Sequence, residues 1–392
     1  MNKTFNFFVF KTLLILLTFA SFAEEAPDKK IHPWNKSESP KKLKIDIEYR
    51  YDKIPQAYSL PLEKEVGWSG SYWPSEKGGV SHRWLDPFFK PFENELPTLW
   101  HLKRMDPEWI KTLSPIEKFD IFKGDFSYSL TNRVIKTTKK NRKKDWAGIC
   151  HGWALASLNF SEPKPVTVTS KDGIEIKFGS SDIKGLLSYY MAYGHEADTI
   201  QIGQRCTRKI FGKKKCSGMN PASFHIVMGN LLGVQQRGFI ADVDPGKEVW
   251  NQPVVAYRFE EVTRITPSER EFKKGLAKKI KVKAYMTYVD ELQKVPGAAD
   301  DDYEDHKMWT PILGTKYNEK TTKEFVYILE LDYMGKIIGG KWISSDRPDF
   351  LWVKPIPTEF VGEKFKALEK IYPIEKEAVK AEETKPTAED DN

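Results

Sequence analysis

Residues 281–288 read Lys-Val-Lys-Ala-Tyr-Met-Thr-Tyr, polar and apolar by turns. Alternation of this kind predicts a strand with one buried face, and such a strand needs both neighbouring strands and a cover for that face. Phe325-Val-Tyr-Ile-Leu-Glu-Leu331 supplies another strand. Its continuation through Met334-Gly335 into Ile337-Ile338 and Trp342-Ile343 reads as a hairpin. From about 255 to 355 the pattern is therefore largely β. Upstream the period changes. Val166–Thr169 and Ile174–Phe178 alternate around Lys171-Asp172-Gly173, a hairpin signal. Ser181-Asp182 opens a segment with Ile183, Leu186, Leu187, Tyr190 and Met191 on one helical face, stopping at Gly194. Asn220-Pro221 opens another helix, and Gly238–Val243 reads as a strand. Ser114-Pro115 is a cap and first-turn proline for a short helix beginning in a segment otherwise dense in aromatic residues, glycine and proline. The expected class is α+β, with a mainly antiparallel β C-terminal part.

Six segments follow. Residues 1–23 have the features of an export signal: Lys3 and Lys11, an apolar run from Thr12 to Ala20, and Ser21-Phe22-Ala23 before a mature start at Glu24. Residues 24–45 read as a flexible leader, 46–139 as an aromatic-rich segment, 140–255 as the core that carries the chemistry, and 256–360 as the β-rich part. Residues 361–392 read as a charged, disordered tail. The expected location is periplasmic or extracellular. No later stretch is apolar enough for stable membrane insertion. The net charge of +7 arises from 62 basic and 55 acidic residues, a small imbalance. The runs at Lys139–Lys144 and Lys213–Lys215 lack the aromatic-interleaved module that nucleic acid would require.

The chain has three cysteines. Cys206 and Cys216 flank a basic loop and read as a local disulfide. That leaves Cys150 as an unpaired thiol in an exported chain. It stands in Asp145-Trp-Ala-Gly-Ile-Cys-His-Gly-Trp-Ala154, where a glycine-marked turn gives way to a helical run. A helix N-terminus favours the thiolate and offers backbone N–H groups to an oxyanion. A base must accompany it. His151 adjoins the cysteine and is expected to point elsewhere. His195 ends a helix, His32 lies in the leader and His306 in an acidic loop, while His82 and His101 remain open. His225 lies in the apolar segment Ser223–Met228, where a lone histidine is more often a core residue. Asp242, on an apolar strand, is a carboxylate in need of a partner.

Four segments together resemble the elicitor-type transglutaminases, a family of secreted acyltransferases. They are Trp146–Ala154 around the cysteine, Asn220-Pro-Ala-Ser-Phe-His225, Asp242–Pro253 with its Trp-Asn-Gln-Pro, and Ile337–Trp352. The likeness spans roughly residues 110 to 355. It implies a papain-like/transglutaminase-like core and a triad of Cys150, His225 and Asp242, with Asp244 as the alternative carboxylate. The implied reaction is two-step transfer. Cys150 takes the acyl group of a protein glutamine as a thioester and releases ammonia, and a lysine or other primary amine accepts it. Trp146 and Trp153 are candidates for an additional oxyanion donor. A cysteine peptidase or amidase using the same triad, and a non-enzymatic wall-binding protein, are the competing readings. No cofactor is certain. Calcium is possible at the acidic loop Asp300–Asp305, but the loop lacks EF-hand spacing and reads first as a solvated loop.

Overall fold

The computed structural model describes residues 35–83, 86, 90–144, 146–205, 218–243, 248–292 and 309–374. The export signal, the Cys206–Cys216 pair, Asp244, the acidic loop and the tail beyond residue 374 lie outside the described residues.

The chain starts with a short strand, β1 (Ala57–Ser59), and four helices, α1 (Leu99–Leu102), α2 (Pro107–Thr112), α3 (Pro115–Lys123) and α4 (Ser129–Asn141). α3 forms where the Ser114-Pro115 pair predicts it. Ser114 Oγ accepts from the Glu117 amide and the Glu117 carboxylate accepts from the Ser114 amide, so two otherwise orphaned donors are satisfied. The helix stops at Gly124, whose φ of 70° reverses the chain. α5 (Cys150–Asn159) is followed by the expected hairpin of β2 (Val166–Thr169) and β3 (Glu175–Phe178), and then by α6 (Ser180–Tyr193). α5 and α6 pack so closely that a methyl group on Gly152 would stand 2.2 Å from the Ser188 carbonyl oxygen. β4 (Ile200–Gly203) precedes α7 (Pro221–Met228). There Asn220 caps the helix with its side chain and Pro221 takes the first turn. The second half of the chain is β5 (Phe239–Asp242), β6 (Asn251–Ile265), a short α8 (Glu269–Phe272), β7 (Lys278–Val289), β8 (Lys320–Leu331), β9 (Ile337–Trp342) and β10 (Phe350–Val353).

Seven strands form one antiparallel sheet in the order β4-β10-β5-β6-β7-β8-β9, and β1 joins it as the eighth. β1 pairs with β6 at Ala256–Arg258, just beyond the residues that β5 occupies. The expected boundary at 255/256 falls inside β6. β10, near the C-terminus, returns to sit between β4 and β5, so the 140–255 and 256–360 segments share this sheet.

The sheet separates two apolar cores, and strand alternation assigns each side chain to one of them. Ile240, Val255, Phe350 and Trp352 face the core built with Trp153 and Ala154 of α5 and with Ile183, Leu186 and Leu187 of α6. Phe239, Ala241, Val254, Tyr257, Phe259 and Leu351 face the core built with Phe224, Val227 and Met228 of α7. A bulge at Val255 shifts the register of β6 against β7. Each large, fully buried apolar side chain contributes about 1.5–3 kcal/mol, so both faces are firmly fixed.

Two terminal expectations change. The second half of the 24–45 segment packs rather than forming a free leader: Leu43 is buried, Glu38 accepts from the Asn220 amide at 2.8 Å, and Ser223 Oγ donates to the Glu38 carbonyl. Near the other end, Phe365, Leu368 and Ile371 are buried in the α5–α6 core, so the 361–392 segment begins as packed structure. Among the described residues no helix is long and apolar enough to cross a membrane.

Candidate active site around Cys150

The glycine-marked turn before α5 is held by backbone bonds. The Ile149 amide donates to the Tyr72 carbonyl at 2.8 Å, and a methyl on Gly148 would come within 2.4 Å of the same oxygen. Only glycine fits there, and the tight approach aims the first residue of α5, Cys150, at the rim of the sheet. Cys150 is a free thiol, buried apart from the face that lines a cavity of about 360 Å³. His151, Asn251, Trp146, Tyr189 and Tyr193 share that cavity, with Lys144 and Arg205 at its walls. Lys144 and Arg205 both lie over the Trp146 ring, at 5.7 and 5.9 Å.

The thiol has a defined set of neighbours. Sγ donates to the Val249 carbonyl at 3.7 Å. Asn251 Nδ2 donates to Sγ at 3.6 Å. Asn251 Oδ1 in turn accepts from Trp352 Nε1 at 2.8 Å. Burial pushes the thiol's pKa up. The Asn251 backbone and side-chain donors oppose the shift, Glu291 adds to it, and the His151 amide opposes it. His151 is kept below the usual imidazole value by burial and by the Lys354 charge, so it is neutral at pH 7.

Asp242 lies beside this group. It is the cross-strand partner of Asn251, so both side chains leave the sheet on the face that α5 covers. Its carboxylate accepts from the Trp250 amide at 3.0 Å and is completely buried.

His225 is elsewhere, and the expected triad is corrected at this position. Its Nδ1 shares a 2.8 Å hydrogen bond with the Tyr327 hydroxyl. Its ring stacks on Phe259 at 3.8 Å and on Tyr51 at 5.7 Å, and Nε2 has no hydrogen-bond partner among the described residues. These contacts belong to the α7 core, on the opposite face of the sheet from Cys150. β6 also measures the separation. Asn251, against the thiol, and Phe259, against the imidazole, are eight residues apart on one strand, about 26 Å at 3.3 Å per residue. Burial alone pushes the His225 pKa down to about 3. The structure sets Asp242 across the strand pair from Asn251, whose side chain meets the thiol, and leaves His225 in the other core. The reason is local: the Ser223–Met228 helix is apolar on all sides, and its histidine was absorbed into the packing. Of the tryptophans considered as donors, Trp146 lines the cavity. Trp153 is fully buried, with its indole N–H against Gly70.

A profile of transglutaminase elicitor proteins matches residues 133–360, more than half of the chain and including both Cys150 and Asn251. The chain belongs to the transglutaminase elicitor family. The crystal structure of the GP42 transglutaminase from Phytophthora sojae has a similar fold, with a TM-score of 0.61 over 87% of this chain and 97% of that one, at 21% sequence identity. No curated protein matches the sequence.

The residues beside the thiol that the sequence did not single out are Asn251, which donates to Sγ, and His151, which lines the same cavity. Asn251 was visible only as part of the Trp-Asn-Gln-Pro segment. Its contact with the thiol depends on β6 beginning beside α5, a long-range pairing that no local pattern encodes. His151 was set aside because consecutive helical residues diverge. At the first turn of a helix that opens on a cavity, however, both can line the mouth.

Proposed function

We propose that this transglutaminase elicitor family member transfers acyl groups from protein glutamine side chains to primary amines through a thioester on Cys150. The observation that carries the reading is the placement of one free thiol at the start of α5, on the floor of a cavity, with N–H donors around it. The fold shared with a protein named a transglutaminase supports it, as does the packing of a thiol-bearing helix start against an antiparallel sheet.

In this reading His151, neutral and lining the same cavity, takes the proton from Sγ as Sγ attacks the γ-carboxamide carbon. The carbonyl oxygen becomes an oxyanion facing the backbone donors at the helix start. The C–N bond breaks, and the proton held by His151 leaves with ammonia. The acceptor amine then loses a proton to His151, attacks the thioester and returns Cys150 as a thiol. Asp242, buried across the strand pair from Asn251, is the carboxylate proposed to accompany this site. The steps use no cofactor. Export of the chain by its first 23 residues would place the reaction outside the cytoplasm.

A second reading, a binding protein that retains the fold, draws on the raised thiol pKa and on His225 lying across the sheet. Incubation with a glutamine-containing peptide and a labelled primary amine separates the alternatives. Amine incorporation that disappears in Cys150→Ser supports transfer. Release of ammonia or cleaved peptide without incorporation indicates a hydrolase. No turnover by the fully reduced protein would leave the binding reading.

A further inference from the structure

We infer that the Asn251 side-chain amide, locked in orientation by Trp352, is the donor that stabilises the Cys150 thiolate, in the place where thiol enzymes commonly set an imidazolium. The inference rests on Cys150 being the nucleophile of the proposed reaction and adds a residue to that site.

An asparagine amide is ambiguous by itself, because oxygen and nitrogen ends are nearly isosteric and either could face the sulfur. Trp352 removes the ambiguity. An indole N–H only donates, and it reaches one end of the amide at 2.8 Å. That end must be the oxygen, so the NH₂ group faces Sγ at 3.6 Å. Both members are held. Asn251 is 5% exposed at the start of β6, and Trp352 is 8% exposed in the strand one place further along the sheet, beyond β5. The amide cannot turn without breaking the indole bond in a region closed to water, which would leave a buried donor or acceptor unsatisfied.

The surroundings show why such a donor matters. The thiol proton rests on the Val249 carbonyl, an acceptor that favours S–H and repels S⁻. Asn251 Nδ2 acts in the opposite sense: it donates to sulfur and gains strength when sulfur becomes charged. On ionisation the S–H bond breaks, the electron pair stays on sulfur and the proton passes to His151 or to solvent. The titratable and charged groups around this centre are His151, Glu291, Asp242, Lys144 and Arg205. Among them Glu291 opposes a thiolate. A fixed neutral donor lowers the pKa without adding another titrating group.

The test is the pH dependence of Cys150 alkylation by iodoacetamide, with folding followed by far-UV circular dichroism. Asn251→Leu is expected to raise the midpoint by about one unit or more, slowing alkylation about tenfold at pH 7. Asn251→Asp, which puts a carboxylate against the sulfur, is expected to raise it further. Trp352→Phe keeps the amide but frees its rotation and is expected to raise the midpoint by less. A merely structural role would lower the melting temperature and leave the midpoint of the folded protein where it was. Midpoints equal to the parent's in folded Asn251→Leu and Trp352→Phe would overturn the inference, and Trp352→Phe decides where Asn251→Leu does not fold. Alkylation does not depend on turnover. Loss of the acyl-transfer reading through absent amine incorporation would therefore be distinguishable from loss of this one.

Discussion

His225 carries a clear pH signature. Burial holds its imidazole at about 3 in the folded chain, against about 6.5 in the unfolded one. Below pH 6.5 the unfolded chain takes up a proton that the folded chain refuses. Stability from the neutral ring is therefore complete above about 6.5 and lost as pH falls toward 3. His225→Gln is expected to flatten the dependence of unfolding free energy on pH across that interval, read by urea denaturation at about pH 7 and about pH 4.5. Retention of the parent's slope would contradict a buried neutral ring. At the cavity, His151→Gln is expected to lower the amine-incorporation rate about 10²–10⁴-fold, the usual contribution of a general base, with the melting temperature little changed. The same fall with heat stability also lost would point to packing instead. Cys150 and Asp242 stood out in the sequence because a free thiol after a glycine turn and a carboxylate among apolar residues both demand an explanation, and both are buried in the fold. His225 misled because an apolar helix with one histidine looks the same whether the ring serves chemistry or packing.

At the level of elements, local rules carried far. The Ser114-Pro115 cap, the Lys171-Asp172-Gly173 hairpin, the Gly194 stop and the Asn220-Pro221 start each lie where their chemistry requires. The ends of β6 were not legible. Its pairing with β5, β1 and β7 and its bulge at Val255 depend on partners far away in the chain. The α5–α6 contact is likewise a matter of distance. Gly152→Ala forces a methyl to within 2.2 Å of the Ser188 carbonyl oxygen, backbone that cannot rotate away. The substitution is expected to cost about 1–3 kcal/mol, the usual penalty for overpacking, in chemical denaturation. It should also slow Cys150 alkylation, because the first turn of α5 must move. A stability equal to the parent's would show that the two helices can separate freely.

For the whole molecule, Glu162 links distant segments. Its carboxylate takes the Lys184 ammonium and the Ile312 and Leu313 amides, and Lys184 also donates to the Ser69 carbonyl at 3.0 Å. The Lys184 and Glu162 side chains are buried, so removing one strands the other. Glu162→Ala is expected to lower stability by about 3–5 kcal/mol in a thermal or urea melt, and a loss below about 1 kcal/mol would mean that the pair behaves as if at the surface. The association of residues 312–313 with residues 69, 162 and 184 could not be read from sequence, because each contributes a single polar group and the pattern appears only once the sheet has gathered them.

The partition made by the eight strands also affects how variants are scored. An assay counting product per milligram would place His225 beside Cys150, since replacing a stacked, fully enclosed ring reduces how many molecules reach the native state. Normalised to titratable thiol in the native fraction, the two should part: turnover per competent molecule falls to nothing for Cys150→Ser and persists for His225→Gln.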